Sequence, residues 1–211
     1  MRVFRCALVV FLFFPHAAVS QSLNWGVEIG IGHSSLPYSD DIGVREAGRI
    51  SFNAMLFGEH DLSSLFAVQS GVRYSRYGND VLYGFRGNTP QTGIFQVSQH
   101  HISVPLRVKY SPFQRSIYIL AGPQIGYIVL ADVYHEVFGE RGFTENEDII
   151  DQVDRLNLGV SFGMGYRIAI GNRAVMVQVL YDRGVSSIGK TEFWSSTWST
   201  RALSFQTGIL L

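Results

Sequence analysis

Leu156-Asn157-Leu158-Gly159-Val160-Ser161-Phe162-Gly163-Met164-Gly165-Tyr166-Arg167-Ile168 separates into two chemically distinct sets with a period of two. Its even positions carry Leu, Leu, Val, Phe, Met, Tyr and Ile, and its odd positions carry Asn, Gly, Ser, Gly, Gly and Arg. A helix, at about 3.6 residues per turn, would scatter both sets around its axis, whereas a strand sends them to opposite faces. The segment is therefore read as a strand with one large apolar face and one small, polar face.

The same alternation recurs on both sides of this stretch. Asn24–Gly32, Arg49–Phe57, Leu65–Ser75, Gln99–Tyr110 and Ala202–Leu211 follow it closely. Ser116–Leu130 and Arg173–Arg183 follow it with Tyr118, Leu120, Met176 and Leu180 placed on the polar phase. The connections alternate in length. His33–Gly48, Arg76–Ser98, Ala131–Arg155 and Gly184–Arg201 are long, and Gly58–Ser64, Ser111–Arg115 and Ala169–Asn172 are short. Antiparallel neighbours need only short turns, so all the long loops fall at one end of the sheet. An even number of two-faced strands with loops long at one end predicts an all-β fold, an eight-stranded antiparallel up-and-down transmembrane β-barrel.

Ahead of the first strand, Arg2 and Arg5 precede the apolar run Cys6–Phe14, Pro15 breaks it, and Ala18-Val19-Ser20 supplies small residues. This is the pattern of a secretory signal peptide over residues 1–20, with an apolar run too short to span a bilayer. It leaves residues 21–211 as one barrel domain. The sole cysteine, Cys6, lies within the leader, so the exported fold is held without disulfides. Charged residues make up 16% of the 211-residue chain, 17 basic against 17 acidic, where a soluble domain carries about 25%. The balance excludes a basic nucleic-acid binder, and the 46% apolar content excludes a disordered chain.

Alternation alone does not say which face points inward. In a soluble ligand-binding barrel the apolar face lines the cavity, and in a membrane barrel it meets lipid. The glycine-rich polar phase would make a poor solvated surface but suits a narrow interior. Glu28, Arg49, Arg73, His101, Arg107, Arg167 and Asp182 then form a polar network in the lumen, with Glu28 and Asp182 ionised and paired. Trp25, Tyr110 and Tyr166 lie on the apolar phase near the short turns, and Tyr74, Tyr127 and Tyr181 near the long loops. Two aromatic girdles at opposite interfaces are what amphipathic rings prefer. These features predict a Gram-negative cell outer membrane location, with outer-membrane lipid as the surrounding solvent.

Across residues 21–211 the chain resembles the outer-membrane β-barrel domain proteins of Bacteroidota, the PorT-like group. The resemblance rests on Ile102-Ser103-Val104-Pro105-Leu106 leading to Lys109-Tyr110. It also rests on Tyr118-Ile119-Leu120-Ala121-Gly122-Pro123 with Gly126-Tyr127, on Leu158–Tyr166, and on the closing Leu203–Leu211. Many such barrels end in an aromatic residue, whereas this chain ends in Leu211 with Phe205 in phase upstream. The resemblance implies a barrel with a structural role, or a place in a secretion or envelope assembly through extracellular loops that meet protein partners.

Other chemistries compete with this reading. Some eight-stranded outer-membrane barrels modify lipid with a His, a Ser and an acidic residue at the outer rim, and here His33, His100 and His101 lie near the loop end with Ser34, Ser35 and Asp182 as partners. No nucleophile motif surrounds these serines, and adjacent residues on a strand point apart, so no catalytic set, metal centre or cofactor is expected. Ala131–Arg155 carries eight carboxylates without the spacing of a calcium loop, and its Ile149-Ile150 with Val153 suits one face of a short amphipathic helix. Trp194 and Trp198 suit an interface anchor or a contact with a partner. The expectation is a non-enzymatic outer-membrane protein. A lipid-modifying barrel enzyme and a soluble secreted ligand-binding barrel are the alternatives.

Overall fold

The computed structural model describes residues 23–36, 45–85, 91–113, 116–138, 144–171, 173–187 and 199–211. The leader and the Trp194–Trp198 pair lie outside the described residues. Among the described residues nine strands form: β1 (Leu23–Ser35), β2 (Arg45–Asp61), β3 (Phe66–Phe85), β4 (Gln91–Phe113), β5 (Ile117–Phe138), β6 (Thr144–Asp148), β7 (Leu156–Ile170), β8 (Arg173–Gly184) and β9 (Arg201–Leu210). All pairings are antiparallel. β1 to β5 and β7 to β9 run in order around the wall, β4–β5 and β1–β9 contacts close it, and β6 adds to the upper part of β5. The fold is thus a closed eight-stranded barrel with one supernumerary strand at its loop end.

Closure is staggered. Hydrogen-bonded partners can be followed from Tyr110 through Ile119, Met164, Val179, Phe205, Ile31, Phe52 and Arg76. The path returns to β4 at His100, ten positions from its start (110 − 100). Strands in such a staggered barrel tilt by roughly 40° from the axis, and eight of them leave an interior only wide enough for side chains.

Burial follows the sequence alternation strand by strand. In β9 every second residue is exposed and every other one buried, and the first nine residues of β7 do the same. The polar phase is the buried one: Glu28, Glu59, Arg73, His101, Arg107, Lys109 and Asp182 are all inside. The apolar phase faces out, with Ile31, Leu56, Phe162, Met164 and Phe205 each more than half exposed. This is the reverse of a water-soluble protein. It fits a wall whose solvent is lipid, where every backbone group must be paired within the closed ladder. The cavity-lining apolar face of the soluble alternative is therefore not what forms.

Glycines permit the filling. A Cβ on Gly26 would collide with the Phe57 ring, and one on Gly165 would meet the Tyr118 ring, so large inward aromatics sit over bare backbone on neighbouring strands. Gly171 has φ 63°, the left-handed region that favours glycine, in the tight turn between β7 and β8.

The long connections differ from the sequence reading. Arg76–Ser98, expected as a loop, is mostly strand: β3 continues to Phe85, β4 starts at Gln91, and pairing runs to Phe85 and Gln91. Ala131–Arg155 likewise contains the end of β5, all of β6 and a single 3-10 turn at Ile150–Gln152. Beyond the apolar belt both faces carry polar residues, among them Arg76, Asn79, Gln96 and Gln99. The hydrophobic contrast ends there while the backbone ladder does not.

A lipid-facing wall makes a direct prediction. Phe162 is 59% exposed at the middle of β7, so Phe162→Arg should lower stability in phospholipid vesicles by about 2–4 kcal/mol, read by urea titration. An unchanged or raised midpoint would contradict lipid on that face.

Candidate functional site

The interior is filled in layers. At the short-turn end Met55, Phe57, Ala174, Met176 and Leu210 form one apolar cluster, and Tyr118, Leu120 and Leu180 another. The inward Tyr118, Leu120, Met176 and Leu180 are the residues that interrupt the sequence alternation. At the loop end Leu36, Val97, Ile128, Ala131 and Val133 pack with Ile149 and Val153. The segment around the 3-10 turn thus folds its apolar side over the barrel mouth rather than forming a helix in solvent.

Between these apolar layers lies a network of charges. Arg73 donates from Nη1 to both Asp182 oxygens at 3.2 and 3.0 Å, and from Nη2 to Gln124 Oε1 at 2.6 Å and Tyr77 Oη at 3.2 Å. Ser161 Oγ donates to Asp182 Oδ1 at 2.7 Å. A second unit joins Glu28, which accepts from Gln69 Nε2 at 2.8 Å and from Arg107 Nη1 at 3.4 Å. Lower down, Lys109 Nζ donates to Glu59 Oε2 at 2.5 Å and lies 4.9 Å from the centre of the Tyr118 ring. Arg167 donates to the other oxygen of Glu59. Alternation points all these groups inward, and the interior gives them no bulk water, so each carboxylate takes a cation as partner.

Of the residues placed in the lumen by sequence, Glu28, Arg73, Arg107, Arg167 and Asp182 stand in this network. His101 sits above it, its Nε2 3.2 Å from Gln99 Oε1 and its Nδ1 3.2 Å from Asn157 Nδ2, edge-on to Tyr77 at 4.9 Å. Arg49 does not join them. A register shift between Gly48 and Phe52 sets it apart from the regular inward phase; it lies 3.8 Å from Asp80, about a third exposed. The sequence reading missed Glu59, which holds two cations. Loop length places Glu59 in the short connection Gly58–Ser64, but β2 runs to Asp61 and the inward phase Ser51, Asn53, Met55, Phe57 continues into it.

The aromatic positions all lie on the outer wall. Trp25, Tyr127 and Tyr166 are about half exposed, Tyr74 and Tyr181 somewhat less, and Tyr110 packs on Phe66 with ring centres 5.1 Å apart. The histidines and serines weighed for catalysis are not brought together. His101 is inside the barrel, whereas the Nδ1 of His100 lies 2.5 Å from Tyr74 Oη. Ser34 donates to the Gly78 carbonyl at 3.1 Å, and Asp182 is held by Arg73 and Ser161. No group of three metal-ligating side chains forms among the described residues.

Glu59 is the most heavily committed interior group. Glu59→Gln leaves Lys109 and Arg167 buried without their counter-charge and is expected to cost about 3–5 kcal/mol, seen as an earlier midpoint for the loss of heat-modifiable electrophoretic mobility. Adding Lys109→Met should restore part of the loss. Equal midpoints for wild type and Glu59→Gln would show that the pairing contributes nothing.

The chain is similar to Neisserial surface protein A at 13% identity, with 90% of this chain and 98% of that one covered and a TM-score of 0.45. It is also similar to Ail of Yersinia pestis, solved with the heparin analogue sucrose octasulfate, at 13% identity, 90% and 99% coverage and a TM-score of 0.37. OprG from Pseudomonas aeruginosa matches at 11% identity, 90% and 97% coverage and a TM-score of 0.37. No curated protein matches the chain in sequence. Residues 19–189 match the family described as outer membrane protein beta-barrel domain, and the chain belongs to that family.

Proposed function

We propose that this outer-membrane barrel is a non-enzymatic structural or interaction protein, whose working surface is the raised wall at its loop end. The observation that carries the reading is the filled interior. Ion pairs at the level of Arg73, Arg107 and Lys109 lie between apolar clusters at both ends, so the lumen serves as a core and function falls to the exterior. β3, β4 and β5 have 20, 23 and 22 residues against 12 and 10 for β8 and β9. The extra length projects past the apolar belt, and β6 adds five exposed residues. Such a wall suits contact with another envelope protein, and the resemblance to the PorT-like group of Bacteroidota favours a secretion or envelope assembly. Residues 1–20 would serve as the export signal.

Two measurements test this. Reconstituted in planar bilayers, the full chain should show no conductance above the lipid background; steady single-channel steps would overturn the filled-core reading. In cells, a photo-crosslinking residue at Glu145 or Glu147 on β6 should capture a discrete envelope protein. Absence of any protein adduct from these and matched positions on β3 and β4 would oppose an interaction role.

A further inference from the structure

The outward faces of β3, β4, β5 and β6 enclose a cleft of about 340 Å³ whose lining includes Arg49, Arg76, Gln96, His100, Asp132 and Tyr134. Its position is set by the ladder. Going toward the loop end, the outward residues of β3 are Val72, Tyr74 and Arg76, and those of β4 are Val104, Ile102 and His100. Tyr74 pairs with Ile102 and Arg76 with His100, so the wall changes from apolar to polar within one step. The cleft therefore opens directly on the rim of the lipid-facing belt, and the Tyr74–His100 contact joins its floor to the aromatic girdle.

The lining is divided by charge. Arg76 donates through Nε to Ser98 Oγ at 3.1 Å, which fixes the guanidinium and leaves both Nη groups without a partner among the described residues. Arg49 stands beside it, held by Asp80 across 3.8 Å. Across the cleft, Asp132 faces Asp148 as its direct partner in the β5–β6 ladder. Paired residues share a face, and like charges so placed destabilise a sheet unless a cation intervenes. Neither arginine forms an ion pair with Asp132 among the described residues.

We infer that this cleft binds a membrane lipid carrying a phosphoethanolamine headgroup. The phosphate accepts from the Arg49 and Arg76 guanidiniums, whose planar fork matches its oxygens. The primary ammonium donates to Asp132 beside the Tyr134 hydroxyl, relieving the Asp132–Asp148 repulsion, and the acyl chains run down the wall over Tyr74, Ile102 and Tyr127. A lipid is the fitting source because the site opens at the level where headgroups lie and continues into an apolar surface. The assignment goes beyond the interaction role proposed above and does not depend on it.

The test uses the detergent-purified full chain incubated in mixed micelles with equal amounts of phosphatidylethanolamine, phosphatidylcholine and phosphatidylglycerol of matched acyl chains. Retained lipid is then measured by native mass spectrometry. Phosphatidylethanolamine should be enriched severalfold over both others, since a quaternary amine cannot donate to Asp132 and a glycerol carries no cation. Arg76→Gln should abolish the enrichment, and Asp132→Asn should reduce phosphatidylethanolamine to the level of phosphatidylglycerol. Equal retention of the three lipids, or enrichment that survives both substitutions, overturns the site. Displacement of the lipid by millimolar soluble phosphoethanolamine would overturn the lipid as its source. Heat-modifiable mobility checks folding of each variant; should Arg76→Gln misfold, Arg76→Lys keeps the charge, loses the fork, and should bind at an intermediate level.

Discussion

In hydrocarbon a backbone N–H or C=O without a partner costs several kcal/mol, and this one constraint shapes the whole molecule. It demands a ladder without edges, and closing eight strands with a ten-residue stagger meets it. Closure then dictates the interior. A barrel of this size has room for side chains and little else, so the filling must be chosen residue by residue. That is why Phe57 and Tyr118 sit over glycines on adjoining strands, where any Cβ would collide with their rings.

The choice of charges for much of that filling follows from alternation. One face of every strand is committed to lipid, and the other must differ from it if the register is to be unique, because a slip of one residue exchanges the faces. A slip in β3 would carry Arg73 into lipid, and one in β4 would do the same to Arg107 and Lys109. Buried ion pairs gain little net energy over well-packed apolar groups, so their contribution here is better understood as specificity. Each pair also ties strands distant in sequence: Glu28 to Arg107 links β1 to β4, Arg73 to Asp182 links β3 to β8, and Glu59 links β2 to both β4 and β7. The contacts across the lumen thus oppose slippage of several strands at once.

This logic explains what could be read from sequence alone. The contrast between Leu156, Leu158 or Val160 and Asn157, Gly159 or Ser161 is a direct imprint of lipid on one side and a crowded core on the other. Strand number, antiparallel order and the inward placement of Arg73, Arg107 and Asp182 all follow from it. The signal ends where the environment stops differing. Past Tyr74 and Ile102 the outward face turns polar while the inward face mixes Asn79 and Gln99 with Tyr77 and Val97, and the ladder continues to Phe85 and Gln91 without a clean hydrophobic period to announce it. Arg49 was misplaced for a related reason, since the irregularity between Gly48 and Phe52 shifts the phase by one residue and leaves no mark in residue type. Glu59 was missed because its strand outlasts its apolar contrast. Pairings such as Glu59 with Arg167 lie beyond any local pattern, because they depend on which strands face each other across the lumen.

The same fading contrast gives the barrel its asymmetry. Lipid sets a common minimum length for all eight strands, but nothing requires them to stop together, and among the described residues only β2 to β5 continue well beyond the belt. The β8–β9 side ends near the rim, with Arg183 and Arg201 as direct neighbours there. A molecule approaching along the membrane plane from the β3–β5 side therefore meets a tall polar wall. The tall side is braced by Ile149 and Val153, which reach back over the mouth to pack on Ile128, Ala131 and Val133. Bracing of this kind suits a surface meant to hold its shape against a headgroup or a partner, since contacts made by a preorganised wall do not first have to meet the entropy of ordering it.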